Sequence, residues 1–430
     1  LDSLAGESAH RHPELLPGGR RVLYTAFHRA TNRSLIIAES FDTDERRVLT
    51  EGTNPRYSPT GHLLFVRDRS LYAAPLVAET LELSGPEEEI ASNVWVHANT
   101  DAAHDALGAA QRLTYVRTDA GADEGATIVL FDREGREETI LPERRPYRLP
   151  RISPDGRRIT FEIDGQIYTY DFDRPGGLTP LTLDQSVLNL FPFWSRDGSR
   201  IAYGSTRGSS ASVRNVWWQR VDGVGEAERL STSVFTQSPW GWTADGRELL
   251  IQEGAQLSGR FDIGVVSMQD GQRRLLVDSE FNEQNPALSP DGSLLAYQSN
   301  RAGRWDVYVQ DFPEPRRGRV LVSTNPSGGS APIWSRDGRE LFFRGAAPTV
   351  TSTAQANATV LMVTTLESAP SLRFGTPRIL VANPEYFAGA SPGYDVGPDG
   401  RFVTTKQPPI PANLNELVLV QNWTEALIAR

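Results

Sequence analysis

Histidine is the first residue type to weigh, because imidazole titrates near neutrality and binds transition metals. All six histidines fall at or before residue 104: His10, His12, His28, His62, His97 and His104. A repeating fold could bring His12, His28, His97 and His104 to one rim, where they would suit zinc or copper. Their separations contain no short-range ligand motif, so no metal or other cofactor is expected and these four stand only as candidates. No Gly-x-Ser-x-Gly elbow or phosphate-binding glycine loop occurs, and Gly328-Gly329-Ser330 reads as a loop. The acidic pairs Asp42/Asp44 and Asp123/Glu124 read as solvated turns, and Glu87-Glu88-Glu89 as a solvated charge run. Cysteine is absent, which removes disulfides, thiolate ligands and cysteine nucleophiles together. No residue is therefore expected to be catalytic.

What remains is recognition chemistry. Planar guanidinium and aromatic groups are good anchors for carboxylates, sugars or peptides. The ligand-binding candidates are Arg56, Arg148, Phe191, Gln237, Trp240, Asn285 and Trp334. Tyr386 and Tyr394 join them as a candidate lid, because they lie in the irregular segment ANPEYFAGASPGY over Ala382–Tyr394. A second irregular segment, Gly345–Ala358, is rich in Ala, Thr and Pro. Trp194, Trp242 and Trp334 also suit simple packing between neighbouring sheets.

These side chains have to be positioned by a repeat. Six segments share a proline or apolar lead, then Ser-Pro/Arg-Asp-Gly or a close variant, then an alternating strand. They centre on Asp155-Gly156, Asp197-Gly198, Asp245-Gly246, Asp291-Gly292, Asp337-Gly338 and Asp399-Gly400. Weaker copies precede them at Pro17-Gly18-Gly19, Ser58-Pro59-Thr60-Gly61 and Asp105-Ala106-Leu107-Gly108. The turn glycines from Gly19 to Gly400 are spaced 42, 47, 48, 42, 48, 46, 46 and 62 residues apart. In such a turn Asp bonds back to the local backbone and Gly accepts a positive φ. Four short strands recurring at this period predict an all-β fold: a single β-propeller of four-stranded antiparallel blades. Nine turns predict about nine blades, or eight if a terminal unit packs outside the ring. One domain over 1–430 is expected, with units starting near 13, 55, 103, 150, 192, 239, 286, 332 and 394.

Bulk properties exclude some partners. The formal net charge is −10, and phosphate recognition needs a basic face, so no nucleic-acid partner is expected. No run of eighteen apolar residues is present, so no membrane insertion is expected. Lys406 is the only lysine among the 44 basic residues. The chain begins with Leu1 rather than Met, as a processed protein or a fragment would.

The repeats resemble those of the WD40-like (PD40) family of TolB-type β-propellers. The residues that carry the likeness are Asn54-Pro-Arg-Tyr-Ser-Pro-Thr-Gly61, Ser299-Asn-Arg-Ala-Gly-Arg-Trp-Asp306 and Trp334-Ser-Arg-Asp-Gly338. The likeness is greatest to propellers attached to bacterial serine/threonine kinases and winged-helix regulators. It implies a non-catalytic binding or sensing domain, extracytoplasmic, belonging to a larger signalling or envelope protein. The implied partner is a protein or a small-molecule or oligosaccharide ligand, and the implied state is a monomer. The other reading is a propeller-type polysaccharide lyase or hydrolase acting on acidic oligosaccharides, in which the early histidines and rim arginines would act.

Overall fold

The computed structural model describes residues 7–28, 33–94, 96, 105–108, 112–117, 125–174, 176–209, 213–254, 260–324, 328–346, 359–367, 372–383, 385–387, 392–408 and 416–424. Among them the chain forms nine antiparallel sheets and no helix. It separates into two compact units, Leu1–Asp123 with Pro409–Arg430 and Glu124–Pro408.

Three sheets belong to the smaller unit. The first runs from Glu7–Leu15 through Arg21–His28 and Arg33–Ser40 to Arg46–Glu51. It packs through Leu23, Ile36 and Ala38 against Leu63, Phe65 and Ala74 of the second. The second meets the third through Leu64, Val66 and Ala73 against Leu113, Tyr115 and Trp423. The third is completed by Glu416–Val420, which pairs with Arg112–Arg117.

Six sheets make up the larger unit, each named here by the residue that opens its leading strand. The leading strands are Arg148–Ile152, Asn189–Trp194, Thr236–Trp242, Glu283–Leu288, Ser330–Trp334 and Tyr394–Val396. Each is followed by its turn, and the chemistry expected of that turn is present. In the Arg148 sheet the Ser153 hydroxyl donates to Asp155 (2.5 Å) and accepts the Arg158 amide (2.9 Å). Asp155 also takes the Arg157 amide, and Gly156 supplies a φ of +74°. Ser195-Asp197, Thr243-Asp245, Ser289-Asp291 and Ser335-Asp337 repeat the hydroxyl-to-carboxylate bond. In the Asn189 sheet, the Ser195 hydroxyl and the Ser199 amide and hydroxyl lower the Asp197 carboxyl to about 2.

The second strands are buried on both faces, because each sheet lies between two others. Leu294–Ser299 is buried at all six positions, so it reads as a short apolar run rather than an alternating one. Neighbouring sheets interlock in sequence order. Ile167 packs with Trp194 and Tyr203, Ala202 with Trp242 and Leu249, and Leu250 with Leu295 and Tyr297. Val307 then packs with Trp334 and Phe343, and Phe342 with Tyr394 and Phe402. The last contact returns to the start, with Ile128 and Val403 against Ile159 and Phe161. The circuit of six sheets therefore closes on itself.

The sheet that closes the circuit joins the two ends of the unit. Ala126–Phe131 and Glu137–Arg145 come from its beginning, Tyr394–Val396 and Phe402–Lys406 from its end. The join is a five-residue register from Thr127↔Lys406 to Phe131↔Phe402. Lys406, the lone lysine, adds an ion pair to Glu137 (2.8 Å), which also accepts the Tyr386 hydroxyl (2.6 Å). Burial opposes ionisation of Glu137, but these two partners outweigh it and hold its carboxyl below the usual range.

Candidate functional site

Counting back from the turn hydroxyl, or from Gly397 which takes its place in the Tyr394 sheet, aligns the six leading strands. One residue before it stand Ile152, Trp194, Trp242, Leu288, Trp334 and Val396. Three of these are indoles, and each donates to a carbonyl of an earlier sheet. Trp194 Nε1 bonds the Arg151 carbonyl at 3.0 Å, Trp242 that of Trp194 at 3.0 Å, and Trp334 that of Ala287 at 3.1 Å. The bonds tie each sheet to its neighbour and fix the indole planes.

Two residues before the hydroxyl stand Arg151, Phe193, Gly241, Ala287, Ile333 and Asp395. All six line one cavity of about 260 Å³. Pro154, Ser195, Arg196, Ser289, Pro290, Ser335 and Arg336 line it as well, so it lies toward the turn end of the leading strands. Three residues before the hydroxyl the strands carry proline in four sheets, but Trp240 and Tyr394 in the others. Trp240 also faces the cavity.

Two neighbouring sheets thus bring charge to an otherwise apolar or small ring position. Arg151 is 7% exposed and Asp395 9%. Their closest atoms, Arg151 Nη1 and Asp395 Oδ1, are 3.8 Å apart. Asp395 Oδ2 is occupied by the Ile152 amide at 2.9 Å. The Arg151 guanidinium lies over Phe193 at 5.3 Å and Trp240 at 5.6 Å, within cation–π range. Desolvation pushes Arg151 below the usual arginine range; Asp395 opposes this and the nearby Arg336 reinforces it.

The start of the leading strands has its own pattern. Phe191, Asn285 and Ala331 take positive φ values of 60°, 52° and 54° at bulges. Each gives its amide to a side chain on the second strand of the preceding sheet: Glu162 (2.6 Å), Gln252 (3.0 Å) and Gln298 (2.8 Å). Glu162 is the one acid among these three, and it is 4% exposed. Burial raises its carboxyl to about 7, against the Phe191 amide and the positive charges of Arg148 and Arg214.

The residues singled out from sequence are spread widely. Trp240 and Trp334 line the cavity. Phe191 sits at a bulge with its ring 6.0 Å from Trp240, and Arg148 is exposed opposite Glu162 in the register. Gln237 is fully buried and bonds Ser231 and Glu253, while Asn285 Nδ2 bonds Gln298 at 2.7 Å. Tyr386 and Tyr394 are buried in the core between the Ser330 and Tyr394 sheets, their hydroxyls bonded to Glu137 and the Ala331 carbonyl. Arg56 belongs to the smaller unit and pairs with Glu14 at 3.3 Å. His12 and His28 are half-buried in that same unit; His97 and His104 lie outside the described residues. Among the described residues no group of three or more His, Cys, Asp or Glu is placed to hold a metal.

Sequence reading missed Arg151, Arg336 and Asp395. The signal was present: aligned on the turn, Arg151 and Asp395 are the two charged residues at a position held elsewhere by Phe, Gly, Ala and Ile.

Sheets packed face to face in a closed circuit, with one residue from each leading strand on a shared cavity, define a β-propeller. The chain belongs to the TolB beta propeller domain family (PD40), whose family model matches residues 165–380. A TolB homolog of Chlorobium luteolum is 29% identical over 149 residues, 34% of this chain and 31% of that protein. An uncharacterized peptidase of Bacillus subtilis is 27% identical over 154 residues, 35% of this chain and 21% of that one. These matches span under a third of either relative. A solved structure of TolB from Agrobacterium tumefaciens superposes with a TM-score of 0.53 at 15% identity, covering 66% of this chain and 99% of that one.

Proposed function

We propose that the chain is a non-catalytic binding or sensing propeller whose larger unit is a six-bladed ring. The cavity of that ring receives part of a partner. The observation that carries this reading is the cavity itself, to which all six leading strands contribute a residue at the same register position. Pockets with a few convergent polar groups are where propellers and other closed folds hold ligands. The polysaccharide-lyase alternative calls for histidine or tyrosine beside arginine, whereas the described residues lining this cavity include neither. Membership of the TolB propeller family supports an extracytoplasmic place within a larger envelope or signalling protein.

Native mass spectrometry, with metal analysis of the same sample, tests this. The partner bound by the wild-type chain should be lost from the Ala287→Phe variant, which fills the cavity, and should leave wild type chemically unchanged. A stoichiometric metal, or conversion of the bound molecule, would overturn the binding reading.

A further inference from the structure

The cavity has hydrogen-bond donors to spare and few free acceptors. The hydroxyls of Ser195, Ser289 and Ser335 are spent on their own turns, donating to Asp197, Asp291 and Asp337. They also accept the amides of Arg200, Leu294 and Glu340. The carbonyls of Arg151, Trp194 and Ala287 are taken by indoles, and that of Val396 by Arg336 Nε at 3.0 Å.

The donors are less well served. The Arg151 guanidinium, more than nine-tenths buried, makes no hydrogen bond with the described residues; the carboxylate nearest it is Asp395 at 3.8 Å. Trp240 Nε1 is buried and has no partner among the described residues. Arg336 also lines the cavity and bonds through Nε, with no bond from its terminal nitrogens to the described residues. Three arginines line the space against a single carboxylate, Asp395. Burying a guanidinium without hydrogen bonds is costly, so a cavity built this way is completed by an anionic acceptor.

We propose that the cavity is a carboxylate-binding subsite, in which Arg151 and Arg336 hold an acidic group of a partner polypeptide while Phe193 and Trp240 cover its apolar stem. The proposal rests on the binding reading above and names its ligand chemistry. A planar carboxylate matches the forked donors of arginine, and Asp395 disfavours a more highly charged phosphate. A sugar would need acceptors for its hydroxyls, and the three serine hydroxyls and four strand carbonyls named above are already engaged. The cavity's volume, about 260 Å³, suits an acidic side chain or a chain terminus rather than an oligosaccharide.

The test uses the full chain with 3-phenylpropanoate, 3-phenylpropanamide and digalacturonate, followed by titration calorimetry and ligand-observed NMR. The acid is expected to bind with a Kd on the order of millimolar, as its size allows. The amide should bind at least about tenfold weaker, as should the acid to Arg151→Met. Arg336→Gln, at an exposed position, should weaken the acid about threefold while leaving the melting temperature unchanged. Failure of the acid to bind, equal binding of the amide, or undiminished binding to both variants overturns the proposal. Tighter, Arg151-dependent binding of digalacturonate overturns it in favour of an acidic sugar. If Ala287→Phe still abolishes partner binding while carboxylate and amide behave alike, only this inference fails. If Ala287→Phe leaves partner binding intact, the cavity reading fails as well.

Discussion

The two ends of the leading strands in the larger unit use the same repeat differently. At the start of the strands, Phe191, Asn285 and Ala331 turn left-handed and hand their amides to the sheet before them. The acceptors are buried and the bonds recur from sheet to sheet, so this end is joinery. At the turn end the indole and serine bonds recur in the same way, but two adjacent sheets depart from the pattern with Arg151 and Asp395. A repeat fixes the structural solution at each position. A polar residue that breaks it without gaining a good partner lowers stability, and recognition is one reason to retain it.

Breaking the joinery should have the largest effect. Gln298 Oε1 accepts both the Ala331 amide (2.8 Å) and Asn285 Nδ2 (2.7 Å). Gln298→Leu strands two buried donors and is expected to cost about 3 kcal/mol, read as a lower urea midpoint at unchanged slope. A cost below about 1 kcal/mol would mean that water replaces the amide, and that this end is less closed than its burial implies.

Glu162 sharpens the comparison, because it is an acid where Gln252 and Gln298 are amides. Its carboxyl is held at about 7 in the folded chain, against 4.5 for the ordinary group. The folded state therefore binds this proton more tightly than the unfolded one. The resulting stabilisation is complete below pH 4.5 and is lost as pH rises through 7. Such a shift corresponds to about 3 kcal/mol. Glu162→Gln, which installs the residue of the sister sheets, should remove this pH dependence and stabilise the chain at pH 8 by about that amount. Denaturant titrations at pH 4.5 and 8 check the sign: a variant that keeps the wild-type slope would locate the titration elsewhere.

At the turn end the expected change is smaller and opposite in direction to a broken joint. Arg151→Met with Asp395→Asn removes the loosely paired charges and keeps an acceptor for the Ile152 amide. The double variant should be more stable than wild type by about 1 kcal/mol, measured by thermal unfolding without ligand. A marked loss of stability would show that the 3.8 Å pair holds the ring together, placing Arg151 with the joinery rather than with a site. Smallest is a change confined to one turn. Ser195→Ala removes the hydroxyl that bonds both Asp197 and the Arg200 amide, and should cost about 1 kcal/mol. The Asp197 carboxyl should then titrate above its value of about 2, as followed by NMR.

Much of the fold was legible from particular residues. The Ser-x-Asp-Gly turns state their own geometry, since serine, aspartate and glycine act over a few residues whatever surrounds them. The apolar runs between them, such as Leu294 to Tyr297, are long enough for a strand and too short for a helix. Period and turn chemistry therefore determine that the chain forms small antiparallel sheets of about four strands; eight of the nine expected turns lie at turns, whereas Asp105–Gly108 is a strand.

The grouping of those sheets was beyond the sequence. A period is the same whether the ring closes after six units or nine. Closure here is decided by Thr127 to Phe131 meeting Phe402 to Lys406, residues with no local mark of partnership. The site behaved likewise. Arg148 and Arg151 are three positions apart on one strand, and composition treats them alike. Only packing leaves Arg148 exposed at the strand's start and buries Arg151 between Phe193, Trp240 and Asp395. Local chemistry is written in adjacent residues, so the sequence alone determined the turns and strands. Burial and charge pairing arise from residues distant in the chain, so the tertiary structure alone decided which arginine faces the cavity.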